Sequence, residues 1–197
     1  MKDNNAKFDE LIKKVNLCKS CELSKTRTKT VFSDGCEDAP VMFIGEAPGK
    51  NEDETGIPFI GRAGQLLRKF LFEVGFGQND FYIANTLKCR PPENRKPTNA
   101  EKEACFCYLE KQIELVNPKI IVLVGSTAME SFIEEKTTIT KARGKIFEKE
   151  TAGKTRKFIP IFHPSYLLRY HSMEIGSPRY LFKEDLTTIK NMISGLK

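Results

Sequence analysis

Four short runs of consecutive apolar residues punctuate the chain: Val41–Gly45 (VMFIG), 81–84 (FYIA), Ile120–Val124 (IIVLV) and 158–162 (FIPIF). Their apolar character is continuous rather than alternating. That pattern predicts strands buried on both faces, as in a parallel sheet covered by helices. Helical spacing lies between and beside the runs. Phe8, Leu11, Ile12 and Val15 recur at i, i+3, i+4 and i+7 before the first run. Leu66, Leu67, Phe70, Leu71 and Val74 do the same after it. Thr98 with Glu101 reads as a capping box opening a helix to about Val116. Ser126 is placed to cap a helix running to about Glu135, and a last helical pattern covers 179–196. Strands alternating with helices predict an α/β class, a three-layer α/β/α arrangement with a central four-stranded parallel sheet. The polar, basic stretch 140–157 reads as a hairpin or loop excursion.

Length changes this picture little. A chain of 197 residues fits one α/β domain. No repeat, low-complexity tract or linker divides it, so residues 1–197 read as a single domain. Charge adds more. The excess of +6 is mild, so it permits a polyanionic partner without demanding one. No apolar run approaches the ~20 residues that span a bilayer. The opening MKDNNAKFDE has neither signal nor transit character. These features lead us to expect a cytoplasmic protein without a membrane partner. In that compartment the six cysteines read as metal or redox ligands rather than disulfides.

In open parallel sheets, ligands bind beyond the carboxyl ends of the strands. Each predicted strand runs into a distinctive sequence there: EAPG at 46–49, NTLKCRPP at 85–92, GSTA at 125–128 and HPSYLLR at 163–169. An acid (Glu46), an amide (Asn85) and an imidazole (His163) therefore converge on one edge. Any one of these segments alone would read as an ordinary turn. No GxxxxGK[ST] or GxGxxG follows a strand, which removes the phosphate cradle of nucleotide-binding α/β enzymes. The thiols form a separate set. Cys18-x-x-Cys21, Cys89 and a fourth ligand, Cys105 or Cys107, suit either zinc or a [4Fe–4S] cluster. Helical spacing puts Cys105 on a face with Tyr108, Leu109, Ile113 and Val116. It puts Cys107 with Glu110, Lys111 and Glu114. Cys36 reads as a free loop thiol.

The segments GEAPG, GIPFIGRAG, NTLKCRPPENR and HPSYLLR, in this order, resemble family 4 uracil-DNA glycosylases, the iron–sulfur branch of that superfamily. The resemblance covers nearly the whole chain and implies the same four-stranded α/β/α fold. It implies a DNA repair enzyme that flips uracil out of single- or double-stranded DNA. The enzyme would hydrolyse the N-glycosidic bond and leave free uracil and an abasic site. It selects a [4Fe–4S] cluster over zinc and matches Cys105 as the fourth ligand. A proline is usual where Cys107 stands. The cluster would pin the N-terminal segment, about 1–40, and the loop 88–95 near the site. Glu46, Asn85 and His163 become the catalytic residues. His163 would donate to uracil O2, and Asn85 would read N3–H and O4. Phe59 would stack on the base, and Ala47 would border it, standing where the better-known first family has an aspartate. Glu52 and Asn94 would support Glu46 or the attacking water. Ser165 and Arg169 would take DNA phosphates, and Leu167 rather than Leu168 would wedge into the duplex. Lys88, Arg90, Lys141, Arg143 and Lys145 would add to backbone attraction. The expected protein is a monomer acting at the nucleoid. The alternatives are a non-catalytic four-cysteine nucleic-acid module and a sister glycosylase of broader base choice.

Overall fold

The computed structural model describes residues 2–195, so Leu196, at the end of the last helical pattern, lies outside the described residues. In chain order the elements are α1 (Lys2–Leu17), β1 (Asp34–Gly35), β2 (Val41–Gly45), α2 (Lys50–Thr55), α3 (Arg62–Glu73) and β3 (Phe81–Asn85). There follow α4 (Asn99–Val116), β4 (Ile120–Val124), α5 (Ser126–Glu130), α6 (Ile139–Ala142) and β5 (Phe147–Thr151). The chain closes with β6 (Lys154–Ile161), α7 (Pro164–Leu167) and α8 (Pro178–Ser194).

The strands form one mixed sheet in the order β1-β3-β2-β4-β6-β5. Its middle four strands are parallel, and β1 and β5 are antiparallel edges. The expected four-stranded sheet is thus the centre of a six-stranded one. The edges escaped the apolar-run criterion for a physical reason. β5 (FEKET) alternates half-buried and exposed positions, and β1 is two residues long. Short or charged edges are how sheets discourage further pairing. The 140–157 excursion resolves into α6 and the hairpin β5–β6. The hairpin turns at Ala152 and Gly153, both with positive φ (47° and 69°).

Side chains of each central strand point alternately to two separate cores. Val41, Phe43, Phe81, Ile83 and Val122 face α3 and α8, joining Leu67, Phe70, Phe182 and Leu186. Met42, Ile44, Tyr82, Ala84 and Ile121 face α1 and α4, joining Phe8, Leu11, Leu109 and Ile113. Burial on both faces explains why the runs are apolar throughout.

Helix starts follow local chemistry. At α4, Thr98 Oγ1 accepts from Glu101 N (3.2 Å), and Glu101 Oε2 accepts from Thr98 N (2.9 Å). Arg95 forks onto the same carboxylate and, with these bonds, holds it at about 2. The helix after β4 departs from expectation: Gly125, not Ser126, is its N-cap, and it ends at Glu130.

Candidate active site

The carboxyl ends of the parallel strands gather the predicted acid, amide and imidazole, and two glycines make their approach possible. In the sheet register Gly45 lies beside Asn85. A Cβ on Gly45 would come within 2.4 Å of Asn85 Oδ1 and 2.5 Å of Phe59 Cζ. Only a residue without a side chain can end β2 here. Phe59 arrives on the loop between α2 and α3 in a left-handed conformation (φ 53°), a strained state that tends to persist at functional sites. Its ring centroid lies 6.2 Å from that of His163. Gly125, at φ +93°, does for His163 what Gly45 does for Asn85. A Cβ there would sit 2.9 Å from His163 Cβ.

Asn85 is buried, and among the described residues its side-chain amide has no hydrogen-bond partner in the protein. Its amide atoms are not among the fully enclosed unpaired side-chain atoms, so they remain reachable and are available to a ligand. Its backbone is well held: Lys88 Nζ donates to Asn85 O at 2.8 Å.

His163 caps the short helix α7. Its Nδ1 accepts the Ser165 backbone N–H at 3.2 Å and lies 2.7 Å from Ser165 Oγ. With Nδ1 serving as acceptor, the proton of a neutral ring must reside on Nε2. Burial pushes the imidazole down to about 4, against a smaller opposing effect of the Glu52 charge. A second proton on Nδ1 would face the Ser165 N–H, donor against donor. The ring therefore stays neutral from about pH 4 upward. We expect cleavage by this site to show no inflection from His163 near pH 6.5, and a loss only as pH falls toward 4. An NMR titration of the His163 ring checks it, and a midpoint near 6.5 would contradict it.

Glu52 acts on the loops rather than on a reactant. Its carboxylate accepts backbone N–H groups of Gly49 (3.1 Å), Ile60 (3.0 Å) and Gly61 (2.8 Å). It thereby staples the EAPG turn to the segment carrying Phe59. Glu46 is half-buried at the end of β2, and its carbonyl accepts from Leu87 N (3.1 Å) and Thr86 Oγ1 (2.5 Å). A cavity of about 420 Å³ beside Thr86, between α4 and α5, gathers no comparable set of converging groups.

Comparison with known proteins settles the family. Residues 32–187 match the family model of the uracil DNA glycosylase superfamily. A type-4 uracil-DNA glycosylase of Thermotoga maritima is 46% identical over 181 residues, covering 91% of each chain. The type-4 enzyme of Archaeoglobus fulgidus is 43% identical, covering 82% of this chain and 83% of its own. That of Sulfurisphaera tokodaii is 36% identical, covering 94% and 84%. The chain belongs to the uracil-DNA glycosylase superfamily, with its type-4 members.

Several expected residues of this glycosylase fold stand elsewhere than anticipated. Leu167 is fully buried in the core with Phe182 and Leu186, and its carbonyl accepts from Arg179 Nε (3.2 Å). In this structure it packs inward rather than outward where a wedge would lie, whereas Leu168 is only half-buried. Spacing from the histidine could not tell which of two adjacent leucines a one-turn helix turns inward. Asn94 is exposed, and its Oδ1 accepts from Arg90 Nε (2.8 Å); among the described residues no hydrogen bond links it to Glu46. Lys88 is buried, so it meets no DNA. Arg143 is committed to Asp185, with Nε–Oδ2 at 2.8 Å and Nη2–Oδ1 at 2.5 Å. Arg169 and Ser165 are exposed, and Ala47 is half-buried against the cluster of Leu23, Leu87, Cys89 and Cys105.

Cys18, Cys21, Cys89 and Cys105 line one enclosed pocket with Leu23, Arg27, Leu87 and Tyr108. Backbone and guanidinium donors already point at the sulfurs. Lys88 N lies 3.3 Å from Cys105 Sγ, Arg27 Nη1 3.2 Å from Cys89 Sγ, and Ser20 N 3.5 Å from Cys18 Sγ. Cys107 is exposed, and Cys36 packs against the separate α1–α4 core. Arg27 also ties Cys18 O (2.8 Å) to this region. Donor hydrogen bonds to three of the four gathered thiols are the environment that suits a thiolate-held metal group.

Proposed function

We propose that this chain is a DNA repair glycosylase that extrudes uracil from DNA and hydrolyses its N-glycosidic bond, leaving free uracil and an abasic site. The unpartnered Asn85 amide, beside the Phe59 ring and the Nε2–H donor of His163, carries this reading. Uracil presents an N3–H donor next to the O4 acceptor. One amide can accept from the first and donate to the second. Phe59 stacks on the extruded ring. As the bond from C1′ to N1 lengthens, the sugar gains positive and the base negative charge. His163 Nε2–H donates to O2, where that negative charge gathers. Water supplies hydroxide to C1′ and a proton to the departing base. Glu46 borders the water's approach, and Glu52 holds the two loops so that Phe59 and Glu46 share one pocket. Ala47 borders the base. Ser165 and Arg169 meet phosphates, and Leu168 replaces Leu167 as the side chain nearest the gap. All of these groups come from one chain, which supports action as a monomer, in the compartment that holds the DNA.

The test is incubation with an oligonucleotide containing one uracil, followed by alkali. Strand breaks at that position are expected. Intact strands would overturn the reading.

The pocket that gathers the four thiols has no His, Asp or Glu in its lining, an all-thiolate donor set that suits a [4Fe–4S] cluster as it does zinc, and the sequence resemblance to family 4 glycosylases favours the cluster. When bound, the cluster would cross-link the N-terminal segment to the loop after β3 and to α4. Burial pushes the Cys105 thiol up to about 11, so binding must displace its proton. Protein purified without oxygen should be brown and contain iron. Cys105→Ser should lose both colour and iron, while Cys107→Ser and Cys36→Ser keep them. Colourless, stoichiometrically zinc-loaded protein would contradict the assignment.

A further inference from the structure

The segment after His163 carries an aromatic row that the cleavage chemistry does not use. Phe162, Tyr166 and Tyr170 follow one another with ring centroids 5.3 Å and 4.8 Å apart, tilted by about 50° at each step. The row is buried at Phe162 (6% exposed) and opens outward through Tyr166 (39%) and Tyr170 (41%). Backbone bonds fix it: Tyr166 N donates to His163 O (3.0 Å) and Tyr170 N to Leu167 O (3.2 Å). The row therefore leaves the pocket edge on the same rigid turn that places His163.

Its surroundings suit a nucleic-acid strand. Half of the eight large hydrophobic side chains exposed among the described residues fall between 166 and 175, Met173 and Ile175 completing the set. Clustered exposed apolar surface marks a binding face. Arg169 stands between the two tyrosines in sequence, is exposed, and makes no ion pair among the described residues. Two open aromatic faces beside a free guanidinium match the alternation of base and phosphate along a single strand.

We propose that Tyr166 and Tyr170 form a stacking platform for unpaired bases flanking the extruded uracil, with Arg169 on the intervening phosphate. This rests on the glycosylase reading, which says where the strand lies. Stacking is tolerant of sequence because every base has a π-face. The platform would hold an already single-stranded substrate in register with the pocket while paired flanking bases remain out of reach.

The experiment measures equilibrium binding to a single-stranded oligonucleotide with a stable abasic analogue in place of uracil, so no cleavage is needed. A second oligonucleotide also lacks bases at three positions on each side of the analogue. Wild type should bind the base-bearing strand more tightly, by roughly five- to a hundredfold. The double variant Tyr166→Ala/Tyr170→Ala should lose that preference and bind the base-free strand as wild type does. Tyr166→Phe/Tyr170→Phe should keep it. If the alanine pair does not fold, judged by its melting curve, Tyr170→Ala alone should lose part of the preference. Equal weakening on both strands, no weakening, equal loss in the phenylalanine pair, or a loss confined to duplex DNA would each overturn the platform. Failure to release uracil while the base-dependent binding persists would overturn the glycosylase reading and leave the platform standing.

Discussion

Replacing His163 with alanine should slow single-turnover cleavage of uracil-containing DNA by about 10²–10³, the usual consequence of losing one preorganised donor at a developing anion. The structure explains why a single N–H can matter that much. The ring is held neutral by burial, with its acidity displaced to about 4. Ser165 occupies Nδ1 through its backbone N–H and hydroxyl, which fixes the tautomer and ring orientation before substrate arrives. No reorganisation is then needed as charge builds on O2. A neutral donor also suits a leaving group that departs as an anion. Binding should change far less, because affinity for DNA comes mainly from the phosphate backbone.

The second large effect concerns base choice. Asn85→Ala should lower the preference for uracil over cytosine by roughly 30- to 10⁴-fold, since two buried hydrogen-bonding groups of the base lose their partner. Parallel cleavage rates on matched uracil and cytosine oligonucleotides measure it. Cytosine opposes Asn85 at both positions: its N3 accepts where uracil donates, and its amino group donates where O4 accepts. The site is dry enough for that mismatch to count, because Asn85 is 2% exposed and the Phe59 ring is packed close by. Asn85→Asp should also weaken uracil cleavage. A carboxylate cannot donate to O4 and repels the departing anion, although it would accept from a cytosine amino group. Unchanged discrimination in Asn85→Ala would mean that another group reads the base.

The parts of this molecule that were legible in sequence are those where local pattern and global fold agree. The four central strands are apolar at every position because helices cover both faces. The Thr98–Glu101 box announced α4 because both partners of the cap lie within one turn. Asn85 and His163 were legible as strand-end polar groups, and the resemblance supplied their roles. What was missed depends on distant contacts. Gly45 reads as the tail of an apolar run, and only the packing of Asn85 and Phe59 above it shows why it lacks a side chain. Ser165 reads as a phosphate ligand, and nothing in the sequence announces that its hydroxyl also lies 2.7 Å from the His163 ring. Leu167 and Leu168 are indistinguishable until α8 is seen to bury the first. Arg143 and Lys88 look like DNA-facing cations, but Asp185 and the Asn85 carbonyl claim them. The edge strands stayed hidden because their polar, alternating character is the opposite of the signal that reveals a central strand.

The pocket assignment is tested most directly by comparing cleavage with binding in His163→Ala. Single-turnover release of uracil would be measured beside affinity for the same DNA carrying an uncleavable abasic analogue. The structure predicts a rate lower by about 10²–10³ with affinity nearly unchanged. Near-normal release by His163→Ala, or a loss of rate matched by an equal loss of affinity, would contradict it.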